Sequence, residues 1–247
     1  MLLMVDNMNF MNRLLRGSER RKTRFHDERG NLIDLKGAIY APRALAGTVA
    51  RKFFDLRPVR PWISYRAVKF LDGNIRPDWH VIEFGSGMST LWFVRRCGFL
   101  HSIENNPHWH ELLSRRLEGA KHVRYELRSL DEYSDVSDYP DASVDLAFVD
   151  GAWRSRCVEN VLSKIRPGGY LYLDNTDLEG DQPDGEIPRA EAMALSACKA
   201  RGGSYRYFVD FRPTRFEVTQ GLLVQFRTRA IVSETRTTEK QKQPAGP

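Results

Sequence analysis

Apolar and polar positions change period along this chain, and each change marks an element. From Lys36 to Leu56 the apolar residues recur at helical spacing, with Ile39, Ala44, Leu45, Val49 and Phe53 near one face. Pro58 and Pro61 punctuate the pattern, and Trp62–Leu71 reads as a second helix. Short apolar runs then alternate with helical stretches. The predicted strands are His80–Phe84, Leu100–Glu104, His122–Leu127, Val144–Val149 and Gly169–Leu173. Between and after them the pattern predicts helices at Ser89–Arg96, Pro107–Leu117, Arg154–Ile165 and Arg189–Ala200. Two further strands, Tyr205–Phe211 and Leu222–Phe226, follow with only a short connection between them.

Strands that alternate with helices of this length predict an α/β fold with a mostly parallel sheet and helices on both faces. Right-handed crossovers make it a doubly wound, seven-stranded sheet. The closing hairpin adds one antiparallel strand near the C-terminus. In such sheets a ligand sits outside the carboxyl ends of the strands, where the strand order reverses.

Charge divides the chain differently. Residues 1–60 carry 13 Lys/Arg against 6 Asp/Glu, residues 61–226 carry 20 against 24, and residues 227–247 carry 5 against 2, so the net +6 belongs to the ends. The expected organisation is a basic, partly disordered arm (1–35), helices that cover the site (36–76), the main domain (77–227) and a disordered polar tail (228–247). Phe10, Met11, Leu14 and Leu15 beside Arg13 and Arg16 could form a short amphipathic helix, marginal by itself. At 247 residues the chain can bury a full core, and no apolar run approaches a membrane span. Cys97, Cys157 and Cys198 stand far apart without metal-type spacing, which points to a reducing, cytoplasmic compartment.

The chemistry concentrates where the first strand ends. Val81-Ile-Glu83-Phe-Gly85-Ser86-Gly87-Met-Ser89-Thr90 is an apolar run, a two-glycine turn and a helix start. Gly85 and Gly87 can take positive φ and let a ligand approach bare backbone, while Ser86, Ser89 and Thr90 offer hydroxyls beside free helix-start amides. A carboxylate at Glu83 would repel a pyrophosphate, so the expected ligand carries positive charge or hydroxyls. Glu104 ends the second strand nineteen residues after Gly85, placed to accept both hydroxyls of a ribose, with Asn105 beside it. The dinucleotide fingerprint would need glycine at Thr90, which argues against NAD and a dehydrogenase.

Glu83-x-Gly85-x-Gly87-x-Ser89 resembles the first motif of class I S-adenosylmethionine-dependent methyltransferases, with Ser89 in place of the third glycine. Asp145–Arg154, an apolar strand ending in Asp150-Gly151, and Arg166–Asn175, which ends in Asp174-Asn175, resemble later motifs of the same family. The resemblance spans roughly residues 62–226. It implies a Rossmann-like fold, S-adenosyl-L-methionine as cofactor, and binding through Glu83, Gly85, Ser86, Gly87, Ser89, Thr90, Glu104, Asn105 and Asp150. Asp150, Asp174 and Asn175 also resemble the magnesium-binding set of catechol-type O-methyltransferases, although that group's lysine base corresponds here to Trp153. The Gly-Ser-Gly-x-Ser-Thr-Leu-Trp-Phe and Val-Asp-Gly-x-x-Arg segments look like bacterial methyltransferases found among sugar- and polysaccharide-modifying functions.

These expectations describe a cytoplasmic enzyme that methylates oxygen of a small molecule or glycan precursor. Asp150 is the best-placed base, and Mg2+ would be held by Asp150, Asp174 and Asn175. An RNA methyltransferase using the basic arm is the alternative, although the acidic loop Asp177–Ile187 suits a nucleic-acid partner poorly. A cofactor-binding scaffold without turnover and a homo-oligomer stay open. Trp153, Ser129 and Asp131 are candidate adenine contacts. Arg212 and Arg215 are read as an anion clamp or solvated turn residues, and the histidines as structural.

Overall fold

The computed structural model describes residues 20–182 and 184–227. In chain order the elements are α1 (Leu35–Ala38), α2 (Ala41–Phe54), α3 (Tyr65–Asn74), β1 (His80–Phe84), α4 (Met88–Phe93), β2 (Phe99–Glu104) and α5 (Pro107–Leu117). There follow β3 (Val123–Leu127), β4 (Val144–Val149), α6 (Arg154–Val161), β5 (Ile165–Leu173), α7 (Glu186–Ala200), β6 (Ser204–Arg212) and β7 (Arg215–Gln225). One sheet holds all seven strands in the order β3-β2-β1-β4-β5-β7-β6. Only β7 runs antiparallel to its neighbours, because it is inserted between β5 and β6. Order reverses between β1 and β4, so their carboxyl ends, Phe84 and Val149, flank the switch point.

Side chains along each strand alternate between two cores, as a period of two requires. Ile82, Ala147, Val149, Leu171 and Leu173 face Val158 and Val161 of α6 and Ala190 and Ala194 of α7. Val81, Leu146, Phe148 and Tyr172 face Ala67 and Leu71 of α3 and Trp92 and Phe93 of α4. Glu83 lies on the second face by the same alternation, which aims its carboxylate at α4.

A third, smaller core joins the chain's beginning to its end. Ile33, Ala44 and Tyr65 pack on Phe211, Phe216 and Val218 of the β6–β7 hairpin, with Phe25 edge-on to Phe211 and Phe216. Within the arm, Arg21 pairs with Asp177 (3.3 Å) and Glu28 (3.0 Å), and Asp27 accepts from Asn31 and Gln220. The amphipathic segment expected around Phe10–Arg16 and the tail at 228–247 lie outside the described residues.

Several boundaries differ from the sequence pattern. The helix expected over Arg154–Ile165 ends at Val161, and β5 begins at Ile165 rather than Gly169, so Arg166-Pro167-Gly168 lies within the strand. The helix expected over Lys36–Leu56 is broken at Ile39-Tyr40, because Pro42 sits in the first turn of α2. The last strand begins at Arg215 rather than Leu222, since the hairpin turns within Pro213-Thr214.

Candidate functional site

Gly85 leaves β1 at φ 95, a conformation that favours glycine. A Cβ there would lie 2.7 Å from Gly151 Cα, so the turns after β1 and β4 touch backbone to backbone. Gly87, by contrast, is extended at φ 178, and the expected positive φ does not occur. A Cβ on Gly87 would meet only Ser89 Oγ, at 3.8 Å. The missing side chain at Gly87 leaves open space beside the loop.

Glu83 is fully buried beneath this loop. Its Oε2 accepts from Thr90 Oγ1 and Ser102 Oγ, both at 2.6 Å, while Oε1 is buried without a partner. Thr90 Oγ1 in turn accepts from the Gly87 amide (2.9 Å), so the carboxylate braces the loop from below. One of its oxygens is thus committed to the loop, and the other has no partner among the described residues. Burial raises its pKa to about 7, against the hydroxyls of Ser102, Ser89 and Thr90, which lower it. The folded state thus holds this proton more tightly than the unfolded chain. Its contribution to stability is complete below pH 4.5 and declines as pH rises to about 7. In urea unfolding, the wild-type chain is expected to lose on the order of 2–3 kcal/mol relative to Glu83→Gln across that window. A constant difference between the two would contradict the assignment.

Glu104 stands at the tip of β2 and is nearly buried. Its Oε2 accepts from the Ser86 amide (3.0 Å) and hydroxyl (2.6 Å), and its Oε1 from the Asn105 and Asn106 amides. The carboxylate is fixed and faces the loop. Ser86 Oγ also meets Tyr125 Oη at 2.8 Å, and Tyr125 stacks on His110 with centroids 4.5 Å apart. Sequence reasoning missed Tyr125, and it missed Tyr133, whose buried hydroxyl would sit 1.9 Å from a Cβ on Gly151. Neither has a spacing signal; both reach the site through the sheet and the loop after β3. Ser129 and Asp131 are exposed on that same loop.

Asp150 follows β4 directly, with its amide donating to Phe84 O (3.0 Å). Arg154, one turn on, donates to Asp150 Oδ1 (3.3 Å), Asn175 Oδ1 (3.2 Å), Gly151 O (3.0 Å) and the carbonyl of Asp174. Asp174 is buried and accepts from Tyr172 Oη (3.0 Å), and Asn175, at φ 55, donates to Thr219. Burial raises both carboxyls, Asp174 to about 8 with the neighbouring Asp150 charge as its second cause; Arg154 and Arg212 oppose the rise. The pair therefore holds a proton near neutrality.

Magnesium at Asp150, Asp174 and Asn175 would compete with a guanidinium for the same oxygens. Arg154 already donates to Asp150 Oδ1 and Asn175 Oδ1, and Asp174 Oδ1 accepts from Tyr172. Among the described residues no group of three or more His, Cys, Asp or Glu is placed to hold a metal.

Trp153 adopts φ 47 at the start of α6, and its ring lies against the core and under the Arg156 guanidinium at 4.1 Å. The acidic loop is anchored rather than free: Asp177 is bound by Arg21, the Glu28 amide and the Gln220 amide, and Glu186 accepts from Ser155. Arg212 is largely buried and pairs with Glu217, whereas Arg215 is exposed and reaches the same carboxylate at 3.4 Å. His101 is buried on Tyr139 with its pKa pushed down to about 4, chiefly by burial, and His122 bonds Val94 O, as structural histidines do.

A doubly wound sheet with an acid-bearing glycine loop at its switch point and a second acid at the tip of β2 is an α/β architecture whose ligand site falls between β1 and β4. Residues 82–176 match the family described as methyltransferase domain. The chain's fold is similar to a Klebsiella pneumoniae protein assigned as an O-methyltransferase (17% identity, 89% of this chain and 96% of that one, TM-score 0.50). Other matches include the O-methyltransferase TomG from Streptomyces achromogenes (20%, 90% and 96%, 0.49) and an rRNA methylase from Streptococcus thermophilus (14%, 70% and 98%, 0.49). Comparison with curated protein sequences returns no match.

Proposed function

We propose that this chain is an S-adenosylmethionine-dependent methyltransferase that acts on a hydroxyl of a small molecule or glycan precursor, with Asp150 as the base and no resident metal. The observation that carries the reading is the cluster Asp150–Arg154–Asp174 at the carboxyl ends of β4 and β5, directly beside the Gly85–Gly87 loop. S-Adenosylmethionine supplies an electrophilic methyl group and leaves as the neutral thioether, S-adenosylhomocysteine.

The chain's own residues supply the rest. Glu104 holds the ribose hydroxyls, and the extended backbone at Gly87 permits close approach of the cofactor. Asp150, partly exposed and steadied by Arg154, accepts the proton released as the acceptor oxygen bonds to carbon. Arg154 brings the fixed positive charge that a metal would otherwise bring, and it stays protonated throughout. Alignment of oxygen and methyl accounts for most of the acceleration in such a displacement. The three free cysteines are all buried, which supports a cytoplasmic setting. Among the described residues no helix is long and apolar enough to cross a membrane.

The test is a panel of catechol-type and sugar hydroxyl acceptors incubated with S-adenosylmethionine, with methyl ethers and S-adenosylhomocysteine followed by mass spectrometry. Turnover should survive EDTA unchanged, and Asp150→Asn should lower kcat by roughly 10²-fold or more. Loss of turnover in EDTA, restored by Mg2+, would contradict the metal-free reading. Cofactor binding without turnover of any acceptor would favour a scaffold.

A further inference from the structure

Amphipathic surface helices ordinarily bury their apolar stripe and turn charged residues outward. Helix α2 does otherwise. Ala44 is its one buried residue, yet Leu45, Val49 and Phe53, spaced four apart, are exposed, Phe53 at 69%. At about 100° per residue, Pro42 and Ala46 fall within the same outward arc. Its charged margins are Lys52 on one side and Arg43 on the other. Among the described residues, eight of the twelve exposed large apolar side chains lie between Leu32 and Leu56. The sequence pattern places these residues on one face but cannot say which way that face looks.

Charge selects the occupant. Residues 35–60 hold six Lys/Arg against the single Asp55. A second copy of the same face would bring two such basic surfaces together, which like-charge repulsion opposes. An anionic bilayer offers both complements: acyl chains for the apolar arc and headgroups for its basic margins. Beside the arc, a groove of about 470 Å³ runs between α2 and the β6–β7 turn, lined by Ala46, Ala50, Leu56 and Pro213 and bordered by Arg43 and Arg57. The groove thus pairs an apolar floor with cationic edges, the same chemistry again.

We propose that α2 docks in the interface of an anionic membrane, as a peripheral attachment with no spanning segment. Gly47 lets α2 approach the hairpin backbone, since a Cβ there would lie 3.3 Å from Thr214 N. Docking would therefore bring the lipid surface to the β6–β7 hairpin, on the side of the sheet where strands β4 and β5 end.

The experiment is co-sedimentation of the full chain with vesicles of phosphatidylglycerol and phosphatidylcholine, and of phosphatidylcholine alone, at low and raised salt. Binding is expected to the anionic vesicles and to weaken with salt. In Val49→Glu/Phe53→Glu the bound fraction should fall roughly tenfold, and Arg43→Glu/Lys52→Glu should lose the salt dependence. All four side chains are exposed, and an unchanged circular dichroism spectrum and S-adenosylhomocysteine titration would show the variants folded. Equal sedimentation of wild type and the Val49→Glu/Phe53→Glu variant, or none at all, would overturn the proposal. So would a dimer that the same variant dissociates, RNA binding that it abolishes without vesicle binding, or vesicle binding seen only after residues 1–19 are removed.

Discussion

Replacing Glu104 by alanine is expected to weaken S-adenosylhomocysteine binding about a hundredfold or more. The carboxylate would accept both ribose hydroxyls, and hydrogen bonds to a charged acceptor contribute about 1.5–3 kcal/mol each. The same oxygens already accept from Ser86, Asn105 and Asn106, so the position is fixed before any ligand arrives. Alanine also strips those amides of their partner, and part of the effect will appear as a loosened loop. Glu104→Gln separates the two contributions. It keeps an acceptor for the Asn105 and Asn106 amides while removing the charge, and an intermediate affinity should result. Calorimetric titration of all three proteins reads the difference. Wild-type affinity in a folded Glu104→Ala protein would remove the tip of β2 from the site.

The second large effect is on stability. Gly151→Ala would place a methyl group 1.9 Å from the Tyr133 hydroxyl and 2.9 Å from Gly85 Cα. Tyr133 is wholly buried and cannot swing into solvent, so the backbone turns after β1 and β4 must part. Overpacking of a close-packed core costs about 1–3 kcal/mol, and displacing backbone at the switch point adds to it. A fall in Tm of roughly 5–10 °C is expected, with loss of cofactor binding. Gly151→Ala/Tyr133→Phe tests the cause: removing the hydroxyl should restore part of the stability. No gain in the double variant would place the strain at Gly85 alone. By contrast Gly87→Ala, whose Cβ meets only Ser89, should fold as the wild type does and lose affinity for the cofactor.

The parts of this site that were legible in the sequence are those fixed by strand period. Glu83 and Glu104 end apolar runs of countable length, and the alternating pattern of β1 is what sends Glu83 toward Thr90. Asp150 and Asp174 follow from the same logic. Arg154 was visible as a residue but not as the group that joins Asp150, Asn175 and the Asp174 carbonyl, because that requires α6 to start where it does beside β5. Tyr125 and Tyr133 depend on how β3 and its loop lie against β1, which no spacing encodes. Asp177 belongs to the acidic loop in the sequence; its partners Arg21, Glu28 and Gln220, all distant along the chain, make it an anchor. Likewise β7 was read too short, since Thr219-Gln220-Gly221 interrupts the apolar run while the backbone pairing continues through it.

The central claim is that the loop between β1 and α4, with Glu104, binds S-adenosylmethionine and not a dinucleotide. Titration of the full chain with S-adenosylhomocysteine and, separately, with NADH tests it most directly. One site per chain for S-adenosylhomocysteine in the micromolar range, and no heat with NADH, are the expected results. Saturable NADH binding, or no heat with S-adenosylhomocysteine from folded protein, would contradict it.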